Sequence, residues 1–430
     1  MIKTISTTNN IMGSKTRILV YAGLALLSIY FTYDLPGSLN FALNFGAGTD
    51  ETKISLLYSF YAIPNIVLPY FFSYLASCSK HGLLCLLSVF VLLGQLTFTL
   101  GIYLNQFSIM LIGRMLLGIG GESYSVAQNK IIMEEFKINE LTGIMAFYNS
   151  CGKIGTILTF LLTPVIASYF GALAASGFAL VLVFFGCFSS YNSYASYKKI
   201  GLVPSPTECP SIDAEDVVDE NVAMVQWRSP GRGASGWVCW PFKLLVFICF
   251  IFGCVWSPFY NIAPMMFHKR YKMGINTSSY TVGIIEGISL GILFAVSPVV
   301  GKIGNKLNLV VLGCLILIIA HLDIVLCSVN PLRAILLLGI ASPLISFYWS
   351  CLPRLVPENK LSSAFAILFC ATNLAFVISP LCVAFLSIKN TTYLLVEIYL
   401  IILSCMSLIA LLILLFFNGK YDLKLNDVIG

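Results

Sequence analysis

From residue 17 onward the chain alternates long apolar runs with short polar breaks. The runs cover 17–37, 53–75, 82–104, 106–129, 140–168 and 172–196, then 239–267, 277–300, 307–329, 331–353, 361–387 and 391–417. Each is about twenty residues or a little more, the length an α-helix needs to cross roughly 30 Å of hydrocarbon. In lipid a backbone must satisfy its own hydrogen bonds, so these runs predict helices. The ten-residue alternation of a membrane barrel is absent. A single long polar stretch, 197–238, punctuated by Pro and Gly and carrying an acidic patch, reads as a linker. The pattern predicts an all-α polytopic membrane protein with 12 transmembrane helices in two six-helix bundles. Its expected parts are an N-terminal tail (1–16), one bundle (17–196), the linker (197–238), a second bundle (239–417) and a C-terminal tail (418–430).

Composition sharpens this reading. Of 430 residues 58% are hydrophobic and 10% charged, against roughly a quarter charged in soluble domains. The net charge of +6 matters through its placement and is no sign of nucleic-acid binding. Of the 25 basic residues, six lie in loops on one side (Lys53, Lys269, Arg270, Lys272, Arg333, Lys389) and two, Arg114 and Lys153, within the membrane. The rest fall on the other side, which is therefore cytosolic and holds both termini. Two glycosylation sequons, at Asn276 and Asn390, fall on the opposite face. The 14 cysteines are dispersed, without a CxxC pair or zinc spacing, and read as small core residues. No metal cluster, nucleophile–base arrangement or phosphate loop stands out, so neither an enzyme nor a cofactor is expected. A transporter fits the layout, with a non-transporting scaffold or nutrient sensor as the rival class.

Charge inside a bilayer marks function, because each such group costs several kcal/mol unless it faces protein, water or a partner. Arg114 and Glu122 share the fourth crossing, in "RMLLGIGGESYSVAQN". Lys153 is on the fifth, Glu286 on the eighth, Asp323 on the ninth and Glu397 on the twelfth. Glu122 and Lys153 sit at depths that differ by roughly 8 Å at 1.5 Å per residue, which two long side chains bridge. They are expected to pair, or to bind the opposite charges of a zwitterion. Arg114 either lines a cavity or braces neighbouring helices through backbone carbonyls. Glu286 lies in "GIIEGISLG", where Gly283, Gly287 and Gly291 predict a stripe for close helix approach, and its carboxylate is expected either to hydrogen-bond across that contact or to face the cavity as a substrate-binding group. Asp323, His321 and Glu397 read as peripheral or interfacial.

Polar and aromatic side chains fill in the site. Asn149, Gln128 and Asn129 are amide-binding candidates. Tyr58 and Tyr61 lie one turn apart before Pro64 and Pro69, where the second crossing is expected to kink. Trp256 on the seventh crossing and Trp349 on the tenth are further candidates for contact with substrate.

The segments "YDLPGSLN", "LLYSFYAIPNIVL", "GRMLLGIGGESYSVAQN", "FKINEL", "KIGT" and "VPENKLSSAFAILFCATNLA" resemble the major facilitator superfamily, within it a branch of lysosomal dipeptide transporters. The resemblance implies alternating access and a carrier that moves small peptides out of a degradative organelle, in a lysosomal membrane; the sequence itself fits a vacuolar or plasma membrane equally well. It implies that Glu122 faces a peptide ammonium and Lys153 its carboxylate. The family places Arg where this chain has Lys153. It also implies a single-pass glycosylated accessory protein. The acid of the superfamily's cytosolic loop motif is missing from "ASCSKHG" and from "VVGKIGNKLN". Passive uniport is expected, since no dense carboxylate relay is visible, with a proton-coupled carrier of another small organic solute as the alternative.

Overall fold

In a computed structural model, residues 2–43, 50–72, 80–135, 138–200, 239–327, 329–357, 360–389 and 392–427 are described. The segment 201–238, most of the expected linker, lies outside them. Helix α1 runs Ile2–Tyr33 and therefore reaches back through the stretch read as a tail. Then come α2 (Asp50–Ala62), α3 (Lys80–Tyr103) and α4 (Phe107–Glu135). A helical run Ile138–Ile200 is broken at Gly171 into α5 (138–170) and α6 (172–200). The second half holds α7 (Trp240–Tyr271), α8 (Ile275–Ile303), α9 (Lys306–Leu326), α10 (Leu332–Ser346), α11 (Leu361–Lys389) and α12 (Leu394–Tyr421).

Among the described residues, nine helices are long and apolar enough to cross a membrane, Ile144–Ser196 counting as one. Two predicted crossings stay outside that set for physical reasons. Helix α2 gives way at Pro64 to a 3-10 turn, Ile63–Ile66, and is cut short. In α4 the charges of Arg114 and Glu122 and the polar run after them lower its hydropathy. The break in α2 is the expected kink: proline lacks an N–H and interrupts the helical ladder. Asn65 mends it, donating from Nδ2 to the carbonyls of Tyr61 and Gly118, both at 3.0 Å, and so ties α2 to α4. At Gly171 φ is +84° and ψ 169°, a conformation essentially reserved for glycine, which lets α5 turn into α6.

The helices of each half pack chiefly among themselves: α1 with α5 and α6, α3 with α4 and α6, then α9 with α10 and α12, and α7 with α11 and α12. The halves meet along α2 with α11, α5 with α8, and the short turn Leu35–Ser38 with α7. Ser59 donates to the Val377 carbonyl at 3.0 Å, and Ser279 to that of Phe160 at 3.3 Å. At the end bearing residues 33–41 this seam is closed, with the Phe41 and His268 rings 5.2 Å apart. Large apolar residues such as Leu96, Phe184, Phe188, Ile409 and Phe416 face outward, as lipid-facing positions do. The expected glycine stripe of α8 is only partly realised. A Cβ at Gly283 would meet Leu161 of α5 at 3.3 Å, whereas at Gly287 and Gly291 it would find nothing within 4 Å.

Candidate functional site

The site begins with how α4 is seated. A Cβ on Gly118 would strike the Tyr61 carbonyl, and one on Gly120 would approach the Val91 nitrogen at 2.7 Å. Glycines therefore let α4 wedge between α2 and α3, which fixes the depth and rotation of Arg114 and Glu122.

Arg114 is fully buried. Its guanidinium donates to the carbonyls of Thr32 and Tyr33 at 2.9 Å each and of Leu57 at 3.3 Å. The rings of Tyr33, Tyr58 and Tyr61 surround it at 5.8, 5.3 and 5.0 Å. Of its two expected roles the geometry is that of the brace: a fork donating to three carbonyls locks α1 and α2 onto α4. Tyr58 belongs to the same brace. It donates to the Asp34 carbonyl at 3.3 Å and accepts from the Gly37 N–H at 3.1 Å.

Glu122 is partly buried and accepts one hydrogen bond, from Tyr61 at 3.3 Å. The expected Glu122–Lys153 pair does not form. Lys153 reaches across the seam instead, its Nζ 2.7 Å from Glu286 Oε2 and 3.0 Å from Ser289 Oγ. Tyr260 donates to the other oxygen of Glu286, and Ser289 continues to Ser342 at 3.1 Å. Depth along the sequence brought Glu122 and Lys153 together, but the faces of α5 and α8 decided the partner. The side chain of Lys153 remains 24% exposed and that of Glu286 6%. Asn149, one turn before Lys153, is exposed on the same face of α5. Trp256 stacks on Tyr260, centroids 5.6 Å apart and 20° between planes.

Two expected residues stand apart from these contacts. Gln128 is buried and its Oε1 has no partner. Trp349 stacks within the second half, on Tyr348 at 5.1 Å and Phe365 at 6.0 Å. One residue that sequence reasoning missed is Asp34, buried, which accepts a 2.6 Å hydrogen bond from Thr156 of α5. An acid near the end of the first predicted crossing was the signal for it. The peripheral reading of His321 and Glu397 is also corrected: both are fully buried and bonded to each other at 2.8 Å. They face one another across α9 and α12, so each supplies the polar partner the other's burial demands. Asp323 does sit at a helix end, held by the exposed Arg333 with Nε at 2.7 Å.

A helical membrane chain in two packed halves, with an ion pair between them at mid-helix, has the architecture of a carrier. The family model of the Major Facilitator Superfamily matches residues 17–380, and the chain belongs to that family of membrane transporters. A human relative named lysosomal dipeptide transporter MFSD1 is 25% identical over 425 residues, 95% of this chain and 88% of that protein. Its zebrafish counterpart (Danio rerio) is 25% identical over 432 residues, 95% and 89%. Among solved structures, the POT family transporter PepTSo superposes with a TM-score of 0.71 at 11% identity, covering 96% of this chain and 98% of that one. The human organic anion transporter MFSD10 gives 0.69 at 16% identity, covering 92% and 99%. These structures share the fold.

Proposed function

We propose that the protein carries small zwitterionic solutes, above all dipeptides, by alternating access and without coupling to an ion gradient. One observation carries the reading: Lys153 and Glu286 hold the halves together from opposite sides, while Glu122 has Tyr61 as its donor and, among the described residues, no basic group within 4.0 Å. A bound dipeptide would place its ammonium against Glu122 and Tyr61. Its carboxylate would draw Lys153 away from Glu286 and loosen the seam, and the two halves would rock about the occupied site. Lysine offers a mobile point charge where arginine would offer a rigid fork, which suits peptides of varied side chain. Asn149 lies beside this path. The names of the relatives support the substrate class and a lysosomal membrane. Both termini and the 197–238 linker are assigned to the cytosol, and a glycosylated single-pass partner to the other face.

Thermal-shift measurements on purified protein with dipeptides, amino acids, monocarboxylates and sugars test this. Dipeptide at a hundred times its Kd is expected to stabilise the fold by about 2.7 kcal/mol. Glu122→Gln and Lys153→Ala are each expected to remove that shift. Stabilisation by a monocarboxylate that survives Glu122→Gln would overturn the reading. Uniport is checked in proteoliposomes, where dipeptide accumulation driven by a pH gradient would rule it out.

A further inference from the structure

The loop "VVGKIGNKLN", which lacks the acid of the superfamily motif, carries a lysine without a counter-charge. Lys306 begins α9 and is only 7% exposed. Its amine is within electrostatic reach of Cys351 and of Arg354, both on the 3-10 turn Phe347–Arg354 that follows α10. Among the described residues no carboxylate lies within 4.0 Å of it. The chain's own end fixes its backbone from both sides. The Asn305 N–H donates to the Asn426 carbonyl at 2.7 Å, and the Leu307 N–H to Asn426 Oδ1 at 2.9 Å. A Cβ on Gly304, where φ is +80°, would strike the same carbonyl, so only glycine admits this contact. A half-sunken cation held in place beside a second cation is stabilised by an anion between them.

We propose that Lys306 and Arg354 bind the phosphate headgroup of an anionic lipid, in the leaflet on the side assigned to the cytosol. The outward stripe of α9 argues for a lipid. Asn305, Asn308, Leu312, Leu315 and Ile319 are all exposed and recur at intervals of three and four residues, along one face of the helix. The stripe is polar beside Lys306 and apolar beyond it, the order in which a headgroup and its acyl chain lie along a membrane helix. Lys306 buries its stem and delivers its charge at the polar end. There the α9 N-terminus adds the positive end of its dipole, and Lys302 and Lys424 are exposed nearby in sequence. Asp427, next to Asn426 on the tail, is exposed and makes no ion pair with Lys306. Anionic lipids are concentrated in the cytosolic leaflet and attract such basic groups. The site stands apart from the Lys153–Glu286 pair and does not depend on the substrate.

Thermal-shift titration of the full-length purified protein tests this, with dioctanoyl phosphatidylinositol monophosphate against dioctanoyl phosphatidylcholine. The two lipids share their tails, so the ratio of their affinities reads the headgroup. The phosphoinositide is expected to bind about tenfold more tightly, the scale of one charge-assisted contact. Lys306→Gln should bring the ratio to about one. Lys306→Arg, which keeps the charge, should retain most of the preference and so separates loss of charge from loss of fold. Lys243→Gln removes a basic residue of the same membrane side that rests on the Trp240 ring, and should leave the ratio unchanged. Equal binding of the two lipids to the unmodified protein overturns the inference. A preference that survives Lys306→Gln, or that falls as far in Lys243→Gln, also overturns it, since it would reflect only the diffuse positive charge of that face. Inorganic phosphate that stabilises the protein as well as the phosphoinositide does, at equal concentration, would overturn the assignment to a lipid.

Discussion

Arg114 shows how one residue's chemistry decides its role. A guanidinium at mid-helix is tolerable in a membrane when each of its donors finds an acceptor, and Arg114 finds three carbonyls and three tyrosine rings. Lysine could not reach all three carbonyls with a single ammonium. Arg114→Lys is therefore expected to lower stability by about 2 kcal/mol, the worth of a lost hydrogen bond to a charged group, read as a lower melting temperature in detergent. Its charge was conspicuous in the sequence, yet only the surrounding carbonyls separate a brace from a ligand. Asp34 is the converse case. It lies near the end of the first predicted crossing, and the Thr156 it bonds is 122 residues further along the chain, a pairing that only the packing of α1 against α5 reveals.

At the scale of elements, α4 is the part most closely specified by its sequence. Its glycines permit contact with α2 and α3 that any larger residue would prevent. Gly118→Ala is expected to cost about 1–3 kcal/mol through overpacking against the Tyr61 backbone. Because the same shift moves Glu122, it should also weaken dipeptide binding, which titration by thermal shift would detect together with the stability loss. The α9–α12 contact makes a second case. His321→Ala would leave the buried Glu397 without its partner, and breaking a buried pair in this way costs about 3–5 kcal/mol. The expected outcome is a marked fall in melting temperature with little change in dipeptide affinity for the protein that still folds, since neither residue touches the site. Both groups looked wet in sequence because each lies near the end of its apolar run. Their burial depends on which helix packs opposite, and hydropathy does not contain that information.

For the whole molecule, the Lys153–Glu286 pair, the Ser59–Val377 bond and the Phe41–His268 contact all join the two halves. The structure is thus closed at the 33–41 end, and the pair belongs to that closed state. Lys153→Ala removes one of the contacts that hold the halves together in this closed state, so the population is expected to shift towards the alternative one. A cysteine introduced at Phe41 should then react several-fold faster with a membrane-impermeant maleimide than in the protein that retains Lys153, a shift of about 1 kcal/mol or more. An unchanged rate would show that the pair does not contribute to closure.

The sequence by itself determined the class of molecule. Runs of about twenty apolar residues leave a backbone no option in lipid but helix, and a 42-residue polar stretch, 197–238, between two sets of such runs separates the predicted halves. It also picked out the charged groups of the candidate site, because a charge in a greasy helix is conspicuous wherever it points: Glu122, Lys153 and Glu286 were all legible. What only the tertiary structure decided is partnership. Lys153 bonds Glu286 across the seam rather than Glu122 within its own half, His321 and Glu397 are buried together, and Arg114 braces rather than binds. A linear chain fixes the depth of a residue through the constant rise of the helix. Which faces meet is set by the packing of helices far apart in sequence, and those meetings determine which charges are matched.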